Sequence, residues 1–239
     1  MSRPNLEVRS RAVVTRLVVE GTRVVGVEYQ RDGQREVVRA TREVVLAAGV
    51  VDSPRLLMLS GIGPADHVKS MGVAVVADVP GVGQNFQDHL KLSILWNGTT
   101  ELPGSTVTAG LFTTSGSTWP PDLQFYVGRG LEQADRFITI TVSLVRPRSR
   151  GEIRLASGDP VAPAVIRPNY LQEQADVEAL VHGVRLARLI GSSSAYDPLR
   201  GDEIEPGPAA TSPEDLQRFV RRAADTIYHA AGTCRMGPA

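Results

Sequence analysis

The first forty residues contain three runs rich in β-branched side chains, and this pattern constrains the fold more than any other feature. The runs are Ala12–Glu20, Arg23–Gln30 and Arg35–Ala40. Valine and threonine favour extended chain because their branched side chains pack well on a pleated surface. The pair Asp32–Gly33 separates the second run from the third and is typical of a two-residue hairpin turn. We therefore predict three short strands joined by tight turns.

A short apolar run follows these strands and predicts a strand of a different kind. Glu43–Ala48 is almost continuously apolar, as expected of a strand that is buried on both faces of a parallel sheet. Gly49 ends the run. Ser53 and Pro54 are suited to the N-cap and first position of a short helix that continues to Leu59. This order of strand, glycine and helix is common in α/β units.

The second half of the chain changes to alternating apolar and polar residues. Leu123–Val127 and Phe137–Val145 show this alternation, which predicts sheet strands with one buried face, and Leu90–Trp96 is a further candidate strand. The intervening stretch Asn97–Pro121 is rich in glycine, serine, threonine and proline, so we predict an irregular loop there.

Two helices are predicted in the last third of the chain. Ala175–Ile190 places its apolar residues on one face, and a final helix begins at Ser212 and carries an apolar stripe as far as Ile227. Residues 197–213 contain four prolines and two glycines, which favours a linker or loop. Together with the alternating strands, these elements indicate an α+β fold.

Composition excludes several classes of protein. The 26 basic and 26 acidic residues give a formal net charge of zero, which argues against a nucleic-acid binder that relies on bulk charge. A single cysteine, Cys234, excludes a disulfide within the chain and a cysteine-built zinc site. The first residues lack the apolar segment of a secretory signal, and the charge-free stretch Leu102–Pro121 has the composition of a loop. We expect a cytoplasmic protein with no membrane span, no metal site and no nucleic-acid partner.

Five segments stand out by their order along the chain. They are Ser53–Gly63, Gly81–His89, Ser149–Gly151, Arg167–Leu171 and His229–Gly237. Taken alone, the first is also explained as a helix between glycines and the last as a loop histidine. In this order, however, the five resemble the signatures of the glucose–methanol–choline (GMC) oxidoreductases, a family of flavoproteins. The resemblance extends over nearly the whole chain.

The resemblance implies a partial FAD-binding, Rossmann-like domain and a substrate domain with a mainly antiparallel sheet and helices. It places the FAD domain in residues 1–88, the substrate domain in residues 89–225, and an active-site segment that returns to the FAD domain in residues 226–239. The family's N-terminal G-x-G-x-x-G fingerprint, where backbone and a helix N-terminus meet the pyrophosphate, does not occur. The family's closing segment, with its second catalytic residue, does not occur either. The chain is therefore expected to be a central and C-terminal part of a GMC enzyme.

The same resemblance implies roles for a few residues. His229 matches the active-site histidine, which takes the hydroxyl proton while a hydride leaves the alcohol carbon for the flavin. Val14 matches a position whose backbone touches the adenine, and Ala47, Ala48 and Gly49 match the strand end near the flavin. FAD is the expected cofactor and a small-molecule alcohol the expected substrate. Whether oxygen, a quinone or a carrier accepts the electrons stays open.

Other chemically capable residues have simpler interpretations. His89 is expected to be structural, with a role beside flavin or substrate as the alternative. His67 and His182 are predicted to be solvated on helices, and Cys234 to be a small buried packing residue. Asp88 is interpreted as a cap or turn former, the usual role of an aspartate in a loop.

Several alternatives remain at the level of sequence. A non-redox lyase of the same family would keep FAD as a structural group and use His229 on a cyanohydrin-type hydroxyl. A non-catalytic remnant of a truncated gene would explain the missing fingerprint. Three aromatic residues are either pocket-lining or part of the core, with core packing favoured: Trp96, Phe125 and Tyr126.

Overall fold

A computed structural model describes residues 3–99, 107–116, 120–129 and 137–237. The strands are β1 Val13–Glu20, β2 Arg23–Arg31, β3 Gln34–Arg39, β4 Ile62–Gly63, β5 Ala77–Asp78, β6 Leu90–Gly98, β7 Val107–Thr113, β8 Leu123–Arg129, β9 Phe137–Leu144, β10 Glu152–Arg154, β11 Val165–Arg167, β12 Arg200–Glu205 and β13 Asp225–Thr226. The helices are α1 Gly49–Leu59, α2 Ala65–Ser70, α3 Gln174–Gly191 and α4 Pro213–Ala223, and Ser194–Tyr196 forms a 3-10 turn.

The described chain divides into two compact units. The first unit comprises the residues up to Phe86, then Gly151–Pro168, and finally the residues from Ala231 onward. The second unit comprises Gln87–Arg150 and Asn169–Ala230. The three-part assignment of functional domains made from the sequence stays a prediction.

The first unit begins with the antiparallel sheet β1–β2–β3. The predicted hairpin turn is confirmed, since Asp32 and Gly33 both have positive φ, at 48° and 81°. Strand β1 is tied to the end of α1 because the Leu17 N–H donates to Ser60 Oγ at 2.8 Å. Beside this sheet, β4 and β5 form a parallel pair, and β10 and β11 form an antiparallel pair. A small core joins α1, α2 and the loops: Met58, Leu59, Val68, Val82 and Leu155.

The prediction of a doubly buried strand over Glu43–Ala48 is wrong. A parallel strand needs a hydrogen-bonded neighbour, and none of the strands in the described ranges pairs with this segment. Val45, at its centre, is exposed. The helix also begins earlier than predicted, at Gly49 rather than after Ser53. Gly49 has a φ of 80°, a conformation that glycine adopts without a steric penalty, and this turns the chain directly into α1.

The early start places Pro54 inside α1, where it has no N–H to donate to the carbonyl of Val50. The hydroxyl of Thr233 donates to that carbonyl instead, with Oγ1 and O 2.5 Å apart. Thr233 is 2% exposed, whereas Val50 is partly buried. The backbone of Thr233 is held as well, because the Gly83 N–H donates to its carbonyl at 2.9 Å. The hydroxyl of Thr233, a residue remote in sequence, thus replaces the N–H donor that Pro54 lacks.

The second unit is an antiparallel sheet with two helices packed against one face. The strand order is β12-β6-β9-β8-β7, and β13 pairs with β6. The candidate strand Leu90–Trp96 is confirmed as part of β6, and its alternate residues Leu90, Leu92, Ile94 and Trp96 are buried in one core with α3 and α4. Gly183 brings α3 close to the sheet, because a Cβ there would lie 2.4 Å from Val142 Cγ1.

Two predicted loops contain strands, and both are edge strands of this sheet. β12 lies within the predicted linker 197–213, and β7 lies within the predicted loop Asn97–Pro121. Neither sequence shows strong alternation, and each becomes a strand because a neighbouring strand offers backbone partners. Residues 100–106 and 117–119 of the predicted loop lie outside the described residues.

The last helix confirms the predicted start but ends sooner than expected. Ser212 is the N-cap, and its side chain and that of Asp215 form a reciprocal capping box. The helix ends at Ala223, so Ile227 does not extend its apolar stripe. His229 therefore follows β13 instead of a helix end, and its position is set by a strand pairing.

Candidate active site

Asp88 is the centre of a buried polar cluster in the second unit. Its carboxylate is 5% exposed and accepts three hydrogen bonds. Oδ2 accepts from the Tyr170 phenol at 2.6 Å and from the Thr226 hydroxyl at 2.5 Å. Oδ1 accepts from the backbone N–H of His229 at 3.1 Å. A buried carboxylate with three donors is fully compensated, and here it also fixes the backbone of the candidate base.

Strand pairing brings the two histidines of this cluster together. Thr226 of β13 pairs with Leu90 of β6, and the Ile227 N–H donates to the His89 carbonyl at 3.1 Å. Tyr228 then adopts a φ of 63° and donates its N–H to the Thr226 hydroxyl at 2.8 Å. This left-handed residue ends the ladder and turns His229 back toward Asp88. The Tyr228 side chain itself is 86% exposed.

The imidazole rings of His89 and His229 are in direct contact. Their Nδ1 atoms are 3.2 Å apart, and the rings meet edge to face with centroids separated by 5.3 Å. His89 is half-buried, whereas His229 is exposed. Burial lowers the pKa of His89, and the neighbouring His229 lowers it further. Asp88 and a hydrogen bond to the backbone of Val145 raise the pKa of His89, but the net shift remains downward.

Tyr170 is held by unusual backbone geometry on both sides. Asn169 has a φ of 52° and Leu171 a φ of 56°, conformations that cost non-glycine residues about 1–3 kcal/mol each. The Leu171 side chain is buried in the core of the second unit. Burial, together with the hydrogen bond to Asp88, raises the pKa of Tyr170 to about 12. The phenol therefore stays protonated at neutral pH and remains a hydrogen-bond donor to Asp88.

The residues predicted to contact FAD lie in the first unit. Val14 is in β1, next to a register shift that separates its pairing from that of Arg16. Ala47 and Ala48 are exposed and lead into Gly49, the first residue of α1. Alanine cannot cap a helix with its side chain, so the first N–H groups of α1 have no cap at Ala48. The contacts of these four residues with FAD stay predictions.

Three of the simpler interpretations are corrected by the structure. His67 is not solvated but 9% exposed, and its Nε2 accepts the Leu155 N–H at 3.0 Å. Burial lowers the pKa of His67, and the nearby Arg154 guanidinium lowers it further, against the smaller opposing effect of Glu152. Cys234 is exposed and not a buried packing residue.

Asp88 is likewise more than a turn former, since its partners Tyr170 and Thr226 are 82 and 138 residues away in sequence.

Other predictions about single residues are confirmed. His182 is exposed on α3. Phe125 and Trp96 are buried in the core of the second unit, which confirms the interpretation as core-packing residues. Tyr170 lies in a segment that resembles the family, but the sequence indicates no function for it and does not mark Thr226. No local pattern marks either residue, because both acquire their role through Asp88.

Comparison with known proteins decides the family. Two family models, both described as GMC oxidoreductase, match residues 1–91 and 147–239. The chain belongs to the GMC oxidoreductase family. This confirms the resemblance seen in the sequence, and with it FAD as the cofactor of the family.

Curated relatives and solved structures agree with this assignment. The chain is 38% identical to mitochondrial choline dehydrogenase of Mus musculus over 99% of its own length and 46% of that protein. It is 37% identical to the oxygen-dependent choline dehydrogenase of Sinorhizobium medicae (strain WSM419), with 99% and 49% covered. Pyridoxine 4-oxidase from Mesorbium loti matches with a TM-score of 0.87 at 28% identity, covering 95% of this chain and 47% of that one. The chain thus spans about half the length of the relatives it matches.

These matches confirm the α+β fold predicted from the sequence. Within the described ranges, no helix is both long and apolar enough to cross a membrane. The cytoplasmic location stays a prediction.

Proposed function

We propose that the protein carrying this chain oxidises the CH–OH group of a small alcohol, with FAD as the hydride acceptor and His229 as the base. The observation that carries the proposal is the placement of His229. Its backbone is bonded to the buried Asp88 carboxylate, while its ring is exposed and paired with His89. An imidazole that is positioned but accessible is what a general base requires.

The chemistry explains why a base is needed. An alcohol hydroxyl resembles water, with a pKa of roughly 15.7, and an unperturbed histidine has a pKa near 6.5. The gap of about nine units corresponds to about 12 kcal/mol, so a free alkoxide does not form in advance. The O–H bond therefore breaks as the proton passes to His229. The hydride leaves carbon with its electron pair, and the alcohol becomes a carbonyl compound.

Features of the first unit fit a flavin nucleotide. The uncapped N–H groups at the start of α1 point to an anion or a polar group as their partner. Space is open at Gly49, where a Cβ would meet no atom within 4 Å. The backbone of Ala47, Ala48 and Gly49 would hold the isoalloxazine side, and the backbone of Val14 the adenine. FAD, when bound, supplies the acceptor for the hydride.

Replacement of the base tests this function. In the flavin-loaded protein, we expect His229→Ala to slow bleaching of the flavin by an alcohol about 10²–10⁴-fold, the usual contribution of a positioned base. His182→Ala, on the exposed face of α3, is the matched control and should leave the rate unchanged. An undiminished rate in His229→Ala would refute the role of this histidine.

The relatives suggest the first substrate to test. Because the chain is 38% identical to a choline dehydrogenase, choline is the first alcohol to add, followed by uncharged primary alcohols. Oxygen consumption, compared with reduction of a quinone or a dye, distinguishes the possible electron acceptors. If no alcohol bleaches the flavin while a cyanohydrin is cleaved, the protein is the non-redox lyase instead.

A further inference from the structure

The contact between the two histidine rings raises the question of which Nδ1 carries the proton. A neutral imidazole has one N–H donor and one bare acceptor nitrogen. The Nδ1 atoms of His89 and His229 are 3.2 Å apart, so a hydrogen bond between them requires a proton on one and a lone pair on the other. The two possible assignments leave His229 in opposite chemical states.

The assignment with the proton on His89 would disable the base. His89 would then donate to Nδ1 of His229, and the ring proton of His229 would have to sit on Nε2. A ring with one nitrogen accepting and the other protonated has no lone pair left for a hydroxyl proton. In the reverse assignment, His229 donates from Nδ1, and its Nε2 keeps a lone pair in an exposed position.

The surroundings of His89 favour the reverse assignment. The His89 ring also forms a hydrogen bond to the backbone of Val145, and this bond favours the protonated ring. The Val145 N–H already donates to the Asp122 carbonyl at 2.9 Å, so the group facing His89 is the Val145 carbonyl, which can only accept. Since Nδ1 of His89 faces His229, the donor to Val145 is Nε2. A neutral His89 with its proton on Nε2 presents a lone pair at Nδ1.

His89 is also suited to remain neutral. Burial is the main cause of its lowered pKa, and a positive charge on His229 would lower it further. Asp88, which lies next to His89 in sequence, acts in the opposite direction on the pKa of His89 but does not reverse the shift. A neutral acceptor can therefore persist while His229 takes up a proton.

We infer that His89 is a positioning residue that holds His229 as its Nδ1–H tautomer and so leaves Nε2 free to accept the proton of the alcohol. The histidine performs the orienting task that a carboxylate performs in many acid–base sites. This inference rests on the proposed function, because the value of a free Nε2 depends on His229 being the base. His89 would support the reaction through His229, without having to contact the substrate.

The tautomer can be measured directly, without alcohol and without turnover. In the purified, ¹⁵N-labelled protein at a pH where the rings are neutral, long-range ¹H–¹⁵N spectra report each ring nitrogen as protonated or bare. Separate replacement of His67, His182 and His89 assigns the signals of the four histidines. We expect His229 to show a protonated Nδ1 and a bare Nε2, and His89 to show the reverse.

Two variants test whether His89 causes this state. His89→Phe removes the acceptor and should cause loss of the protonated Nδ1 signal of His229 in favour of Nε2–H. His89→Asn offers an amide oxygen near the position of Nδ1 and should restore it. His182→Gln is the control and should change nothing. A wild-type His229 with its proton on Nε2 would overturn the inference, as would an unchanged tautomer in His89→Phe.

The wild-type spectrum decides the assignment even if His89→Phe fails to fold. The result is also separable from the proposed function. A bare Nε2 with an undiminished rate in His229→Ala would confirm the tautomer assignment but refute the role of His229 as the base. An Nε2–H tautomer of His229 in the wild type, together with a slow His229→Ala variant, would support His229 as the base but refute the positioning role of His89.

Discussion

The bond between Thr233 and Val50 predicts a coupling that can be measured as a free energy of unfolding. Pro54 leaves the Val50 carbonyl without its helical donor, and the buried Thr233 hydroxyl takes that place at 2.5 Å. Thr233→Val keeps the shape of the side chain but removes the donor. The carbonyl of the partly buried Val50 then loses this donor.

The magnitude follows from the cost of an unsatisfied buried polar group. Such a group costs about 1–3 kcal/mol, and Thr233→Val should lower the free energy of unfolding by that amount. Pro54→Ala restores an N–H at position 54, which can donate to the Val50 carbonyl along the helix. In that background the hydroxyl is redundant, so the cost of Thr233→Val should fall by about 1–2 kcal/mol. This difference is within the range of coupling energies between residues in contact.

Urea unfolding of four proteins measures the coupling: wild type, Thr233→Val, Pro54→Ala and the double variant. Thr233→Ser, which keeps the donor, is the control and should cost only the lost methyl group, about 1 kcal/mol or less. If Thr233→Val lowers the free energy of unfolding equally with proline and with alanine at position 54, the hydroxyl does not act through the Val50 carbonyl.

Three further predictions concern single contacts. Tyr170→Phe removes a hydrogen bond to a buried carboxylate and should lower the free energy of unfolding by about 1.5–3 kcal/mol, whereas the exposed Tyr228→Phe should change it by less than about 0.5 kcal/mol. Gly183→Ala forces a Cβ to within 2.4 Å of Val142 Cγ1 and should cost about 1–3 kcal/mol, measured as a lower urea midpoint. The lowered pKa of His67 means that its contribution to stability is present above the unfolded-state value of 6.5 and is lost as the pH falls below it. His67→Gln accepts the same backbone N–H without titrating, so between about pH 8 and pH 5 its urea midpoint should fall less than that of the wild type; parallel curves would refute the assignment.

Local sequence patterns were sufficient where the structure itself is local. The turn at Asp32–Gly33 and the cap at Ser212 depend on residues within a few positions of each other, so composition and spacing identify them. Glu43–Ala48 has the composition of a buried strand, but a strand exists only when another strand pairs with it. β12 shows the converse, because its sequence is that of a loop and its partner β6 makes it a strand.

The candidate site divides in the same way. His229 can be identified from the sequence because it lies within a recognisable segment. The roles of Tyr170 and Thr226 cannot, because the two residues meet only at Asp88, 82 and 138 residues away in sequence. The position of Thr226 depends on the pairing of β13 with β6, and a pairing of such distant segments leaves no signature within either one.

The nine residues His229–Gly237 contain two residues with different structural roles, and these two residues belong to different units. His229 lies in the second unit and is held by Asp88 and His89, while Thr233 lies in the first unit and supplies a donor to α1. Substitutions in the two halves should therefore have different consequences. Thr233→Val should lower stability and leave the tautomer of His229 unchanged, because it alters no contact of the imidazole pair. His89→Asn should not affect the hydrogen bond from the Thr233 hydroxyl to the Val50 carbonyl of α1. Loss of the Nδ1–H signal of His229 in a folded Thr233→Val protein would show that the two halves act as one.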